Sequence, residues 1–177
     1  MDWLDRLSIG AIAGITLIAM GMLANQAIVK KDQGNAGIVA VDKKAAYALR
    51  MDQDKKIYHE VVSLKDRGLY AEAMAGLNDI LKRYPENPLS YVYTAQLHLG
   101  QGNLGEGIHS YRRAVEMEPD YVDDRTPLFI GDQIRELVTE GREKFGREKK
   151  LKPKDREVRK ILKDIYYLQS RLAGGCE

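Results

Sequence analysis

The chain has 177 residues, 44% of them hydrophobic and 31% charged, with a formal net charge of +2. That length holds about one compact domain with appendages, and the near-neutral balance gives no global attraction to nucleic acid. Cys176 is the only cysteine, which excludes an intrachain disulfide, a CxxC redox pair and a zinc-binding cysteine cluster.

Ser8 to Ala24 reads SIGAIAGITLIAMGMLA and carries no charge; Asn25 and Gln26 interrupt the run, Ala27 to Val29 resume it, and Lys30 and Lys31 close it. Ser8–Val29 is long enough for the apolar core of a bilayer, which takes roughly 20 helical residues. A cleaved signal peptide would begin basic and end in a small-x-small site. Here Asp2 and Asp5 outnumber Arg6, and neither Asn25 with Ala27 nor Met22 with Ala24 supplies the site. Residues 1–31 are therefore read as a tail and a retained transmembrane anchor, in contact with the lipid bilayer through 8–29. Gly10 and Gly14 form a GxxxG pair and Gly21 follows one heptad later on nearly the same face. A second membrane helix can approach closely along such a seam, although glycine is common in membrane helices for other reasons. Lys30, Lys31, Lys43 and Lys44 against Arg6 favour a cytoplasmic body by the positive-inside rule.

Asp32 to about Val41, DQGNAGIVAV, lacks a helical period and reads as a linker. From Asp42 the residues favour helix, so 32–53 is taken as a linker and a leading helix.

A 34-residue offset then aligns Gly68 with Gly102, Ala73 with Gly107, Leu77 with Tyr111, Ile80 with Ala114 and Pro85 with Pro119. Each pair has a physical reason. Glycine at an inter-helix turn accepts a left-handed backbone, small residues at 73 and 107 let two helices lie close, and the larger residues fill the layer between pairs. Proline ends the second helix because it cannot continue the hydrogen-bond ladder. The stretches RGLYAEAMAGLNDILKRYPENP and QGNLGEGIHSYRRAVEMEPDY resemble the tetratricopeptide repeat family. In that frame the units run from about Asp54 to Asn87 and from Pro88 to Tyr121, so 54–121 holds two repeats.

The resemblance implies an all-α fold, a short right-handed stack of helical hairpins behind the transmembrane helix. It also implies a protein-binding groove on the concave side of the first helices, built from Tyr58, Val62, Lys65 and Asp66 with Leu89, Val92, Gln96 and Leu99. That groove is expected to be largely apolar and to suit an amphipathic helix or an extended peptide, unless residues 42–50 or the final helix fill it. The lysine and asparagine clamp of tetratricopeptide domains that grip a C-terminal carboxylate is missing, since Val92, Gln96 and Gly100 stand in the second repeat. Bacterial single-pass proteins of this layout often project into the periplasm. A bacterial-type inner membrane is the expected location, with the side of the body open.

Residues 122–177 read as a degenerate third unit and a C-terminal capping helix. A further 34-residue step lands on Gly141, Phe145 and Pro153, which suit a second helix, but puts Glu136 at the turn. Thr126 and Pro127 predict a helix start, from which Ile130, Ile134, Leu137, Val138 and Phe145 share one face of a long helix or a bent pair. Val158, Ile161, Leu162, Ile165, Tyr166 and Leu172 predict a last amphipathic helix that ends near Gly174 and Gly175 and covers the final layer of the stack.

No catalytic constellation is visible. His59, His98 and His109 form no metal-binding spacing, and there is no phosphate-binding glycine loop, dinucleotide fingerprint or nucleophile elbow. Between Glu116 and Glu140 eight acids face two arginines, while Arg142 to Lys163 holds eleven bases and four acids. Such blocks are ordinarily solvated faces; the functional alternative is a docking surface for an acidic partner or for anionic headgroups. The basic block offers only Phe145 for stacking, which argues against RNA. The expectation is a non-catalytic adaptor or accessory subunit that binds another subunit of a membrane complex. A transient assembly or quality-control factor is the alternative. No cofactor, metal, nucleic acid or small-molecule substrate is expected.

Overall fold

The computed structural model describes residues 43–174. The predicted span at 8–29 with Gly10, Gly14 and Gly21, the linker from Asp32, and Cys176 lie outside the described residues. Among the described residues no helix is long and apolar enough to cross a membrane. The chain divides into two units, Met1–Leu49 and Arg50–Glu177. Of the first, residues 43–49 are described and are helical.

The second unit is helical, and the described residues contain no strand. Within this unit residues 50–66 form helix α1. It is followed by α2 (Tyr70–Arg83), α3 (Leu89–Gly100), α4 (Leu104–Met117), a 3-10 turn (Pro119–Val122), α5 (Gly131–Leu151) and α6 (Arg156–Leu172).

The 34-residue offset recurs in the backbone itself. Helices α2 and α4 both have 14 residues, and their first and last residues are equivalent under the offset. Gly68 and Gly102 lie in the left-handed region at φ 74° and 78°. At each turn the same two bonds close the preceding helix. The Gly68 and Gly102 amides donate to Lys65 and Leu99 at 2.9 Å, and the amides of Leu69 and Asn103 reach Leu64 and His98 at 2.9 and 2.8 Å. This is the Schellman closure, in which a left-handed residue lets two amides satisfy the orphan carbonyls of a helix end. The second helices stop alike too: the amides of Tyr84 and Glu118 donate to Ile80 and Ala114, and a proline follows each.

Two apolar clusters hold the layers. One joins Tyr58 and Val61 of α1 to Ala73, Leu77 and Ile80 of α2 and Leu97 of α3. The other runs from Val92 and Ala95 of α3 through Ile108, Tyr111 and Val115 of α4 to Ile134 and Val138 of α5 and Ile165 and Leu168 of α6. Helix α3 serves both clusters, so its sequence LSYVYTAQLHLG is apolar around most of its circumference. Gly107 lets α4 approach α3: a Cβ there would stand 2.6 Å from Leu99 Cδ2. Gly141 does the same for α5, with Ile108 Cδ1 at 2.7 Å and Ile165 Cδ1 at 3.0 Å from a built Cβ.

Polar residues tie α1 to the turns that follow α2 and α4. Arg50 hydrogen-bonds Glu118 and lies 3.9 Å from Asp54. The Asn87 side-chain amide donates to Asp54 at 2.8 Å while its Oδ1 accepts from the Leu89 backbone amide at 3.0 Å. Tyr58 and Ser90, both fully buried, share a hydrogen bond of 2.6 Å. Burial lowers the Arg50 guanidinium pKa, but the hydrogen bond to Glu118 and its charge more than offset this and leave it raised. Burial pushes the Tyr58 phenol up to about 12 and raises that of Tyr121 as well.

The third pair corrects the sequence expectation in three places. Gly141 and Phe145 belong to α5, the first helix of the pair, and Glu136 lies in that helix and not at a turn. Helix α5 is a single helix of 21 residues starting at Gly131, not at Thr126–Pro127. The Thr126 hydroxyl donates back to the Asp120 carbonyl at 2.8 Å and so closes the 3-10 turn, while the Ile130 amide binds the Tyr121 carbonyl at 2.9 Å. From Leu89 to Gly131 is 42 residues, eight more than one repeat, so the extra turn throws the third pair out of phase. Helix α6 packs on α4 and α5 through Val158, Leu162, Ile165 and Leu168, but Tyr166 is 55% exposed and lies off that face.

Candidate docking groove

A groove of about 720 Å³ opens between the first helices of the three pairs. The end of α1 contributes Lys65 and Asp66, α3 contributes Gln96 and Leu99, and α5 contributes Gln133, Glu136, Leu137 and Glu140. The spacings of three and four keep these side chains on one stripe of each helix. Tyr70 and Tyr111, from the second helices, also line it. The Tyr70 ring lies across Gly100, where a built Cβ would come within 2.5 Å of Cε1. The Tyr111 hydroxyl reaches Gln133 Oε1 at 3.4 Å. Burial pushes its phenol up, opposed by a hydrogen bond with Gln96.

The electrostatics are acidic. Among the described residues Lys65 is the only cation lining the groove, and its ammonium is already 2.9 Å from Asp66 Oδ1. Glu136 and Glu140 are exposed and form no ion pair among the described residues. The lining therefore carries two uncompensated carboxylates beside two amides, a surface able to pair with cations and to hydrogen-bond an extended backbone.

The residues expected to build the groove divide. Lys65, Gln96 and Leu99 line it, as does Asp66. Tyr58 is 0% exposed and Val92 3%, and both are core residues closed to any ligand. Val62 and Leu89 are half-buried against the first cluster and do not line the groove. The stripe read from the sequence is thus open only at its C-terminal end, because neighbouring helices cover its start. The expected apolar character fails because Tyr58 and Val92 are buried and Val62 and Leu89 lie off the groove, which leaves Leu99 as the apolar member of the expected set that lines it. The α5 residues were missed because the repeat frame placed position 136 at a turn. Their signal lay in the α5 period Ile134, Leu137, Val138, Gly141 and Phe145, which leaves Gln133, Glu136 and Glu140 on the adjoining face.

The chain matches no family model, no curated protein and no solved structure. What repeats is internal to the chain, the 34-residue offset between the turns at Gly68 and Gly102.

The histidines do not meet the groove. His59 is exposed on α1, and His98 is half-buried on α3. His109 Nδ1 lies 2.8 Å from Asp164 Oδ2 between α4 and α6, where the Arg112 guanidinium stacks over the Tyr167 ring at 5.2 Å. His109 thereby satisfies the nearly buried Asp164 carboxylate at a helix contact. Among the described residues no three His, Cys, Asp or Glu side chains come together to hold a metal ion.

Proposed function

We propose that the chain is a non-catalytic, membrane-anchored adaptor or accessory subunit of the tetratricopeptide type. On this reading Ser8–Val29 is a single transmembrane helix, Gly10, Gly14 and Gly21 form its packing seam, and α6 caps a right-handed stack. The groove between α1, α3 and α5 receives an extended, Lys- or Arg-rich segment of another subunit in a bacterial inner-membrane complex. The observation that carries the proposal is the groove itself, on which first helices of successive hairpins converge with two unpaired carboxylates. Extended peptides bind such surfaces by backbone hydrogen bonds and side-chain charge.

The test is extraction of the tagged full chain in a mild detergent, with mass spectrometry of what accompanies it. One stoichiometric neighbour is expected, and the double substitution Glu136→Lys with Glu140→Lys is expected to release it without lowering the melting temperature. Recovery of the wild-type chain as a free monomer would refute the adaptor reading. Many substoichiometric crosslinked clients would replace it with the transient assembly factor.

A further inference from the structure

The connection between α5 and α6 serves no core. From Gly146 to Glu157 no residue is buried, whereas Phe145 before it and Val158 after it are 6% and 5% exposed. Helix α5 has 21 residues against 12 in α3, about 14 Å more helix at 1.5 Å per residue, and its last turns carry no packing side chain. What this segment carries is charge. Arg147, Lys149, Lys150, Lys152, Lys154 and Arg156 are all exposed, and none forms an ion pair among the described residues. Elsewhere several surface charges pair locally: Lys56 with Asp52, Lys82 with Asp79, Arg113 with Glu116, Arg125 with Asp123 and Arg135 with Asp132. Six unpaired cations thus crowd this one tip, against the three acids Glu148, Asp155 and Glu157.

A helix dipole accounts for part of the pattern only. Lys149 and Lys150 sit in the last turn of α5, where cations are favoured, but Arg156 opens α6, where they are not. In the middle of the cluster stands Leu151, 81% exposed, against 62% for Leu49, 55% for Tyr166 and 44% for Tyr84. A leucine presented to solvent inside a ring of lysines is the arrangement of an interfacial anchor. The apolar side chain enters the acyl boundary, the lysine stems lie along it, and the ammonium groups remain at the phosphates. Nucleic acid is a poorer fit, because the only ring in the basic block, Phe145, is buried and unavailable for stacking.

We infer that the α5–α6 tip is a peripheral membrane-contact site, in which Leu151 inserts among anionic lipid headgroups bound by Lys149, Lys150, Lys152 and Lys154. This goes beyond the docking role of the groove and stands on the tip alone.

The test uses the full chain in the Cys176→Ser background, with an environment-sensitive fluorophore on P153C, an exposed position of the same turn. The chain is mixed or reconstituted with vesicles of phosphatidylcholine containing phosphatidylglycerol, or of phosphatidylcholine alone, each doped with a headgroup-region quencher. Quenching is expected with the anionic vesicles only, and it should fade as salt is added. A basic residue near an anionic surface contributes roughly fivefold. The triple variant Lys149→Gln, Lys150→Gln, Lys152→Gln should therefore weaken tip docking by roughly 100-fold, and Leu151→Ser by roughly tenfold. Because the tip has no buried residue, both variants should melt with the parent chain. The fluorophore reports from the tip, so its response separates this site from the N-terminal segment and from partner capture. Equal quenching with the two vesicle types overturns the inference, as does no quenching with either. A tip that ignores both and binds polyglutamate or RNA instead also overturns it, and assigns the surface to an acidic macromolecule.

Discussion

Gly68→Ala and Gly102→Ala should cost the same stability, for a reason confined to the backbone. Both glycines have a left-handed φ, 74° and 78°, and a Cβ built on either meets nothing within 4 Å. No steric contact contributes, so the cost is the conformational one. A left-handed backbone costs a Cβ-bearing residue about 1–2 kcal/mol, and alanine returns about 0.5 kcal/mol by restricting the unfolded chain. The net loss is about 1 kcal/mol at each site, or roughly 3–5 °C in melting temperature for a body of this size. Asparagine tolerates the left-handed region better than alanine, so Gly102→Asn should recover part of the loss. Urea unfolding followed by far-UV circular dichroism measures all three, with an unchanged m-value certifying that only stability moved. Gly107→Ala is the contrast. Its backbone is helical, and alanine is the better helix former, but the new methyl would stand 2.6 Å from Leu99 Cδ2 and 2.8 Å from Cγ. Its cost should shrink in a Leu99→Ala background, while that of Gly102→Ala should not. A neutral Gly102→Ala, or costs at 68 and 102 that differ by more than about 1 kcal/mol, would refute the equivalence of the two turns.

Gly141→Val should destabilise by about 1–3 kcal/mol through overpacking against Ile108 and Ile165, and a thermal melt in which it matches the parent would place α5 farther from α4 and α6 than described. Asn87→Ala removes the amide that binds Asp54, a residue only 8% exposed, and chemical denaturation should register a loss of about 1–3 kcal/mol. The alkaline limb follows from Tyr58, whose phenol is pushed by burial from the ordinary 10 up to about 12. A raised folded-state pKa means that this contribution is complete below pH 10 and is lost as pH rises from 10 to about 12, with a slope of at most about 1.4 kcal/mol per pH unit. Unfolding curves across that window should fall less steeply for Tyr58→Phe than for the parent, and parallel curves would remove Tyr58 from the account.

Local chemistry made the first two hairpins legible. A left-handed turn needs glycine and a helix stop uses proline, so Gly68, Gly102, Pro85 and Pro119 announce the period before any packing is known. The α6 face was equally readable, because Val158, Leu162 and Ile165 are buried on one side only. Tyr166 misled because an amphipathic ring counts as apolar at a position that faces water.

The sequence by itself determined that the described body is helical and that its turns repeat, since both follow from residues a few positions apart. The structure alone decided which side of each first helix stays open. Tyr58 and Val92 look like groove residues until Leu97, Tyr111 and Ile134 are brought against their helices from far along the chain, and Glu136 looks like a turn until the 3-10 segment shifts α5 out of phase. Burial is a property of what packs alongside, and helices brought together by the fold leave no mark in the residues they cover.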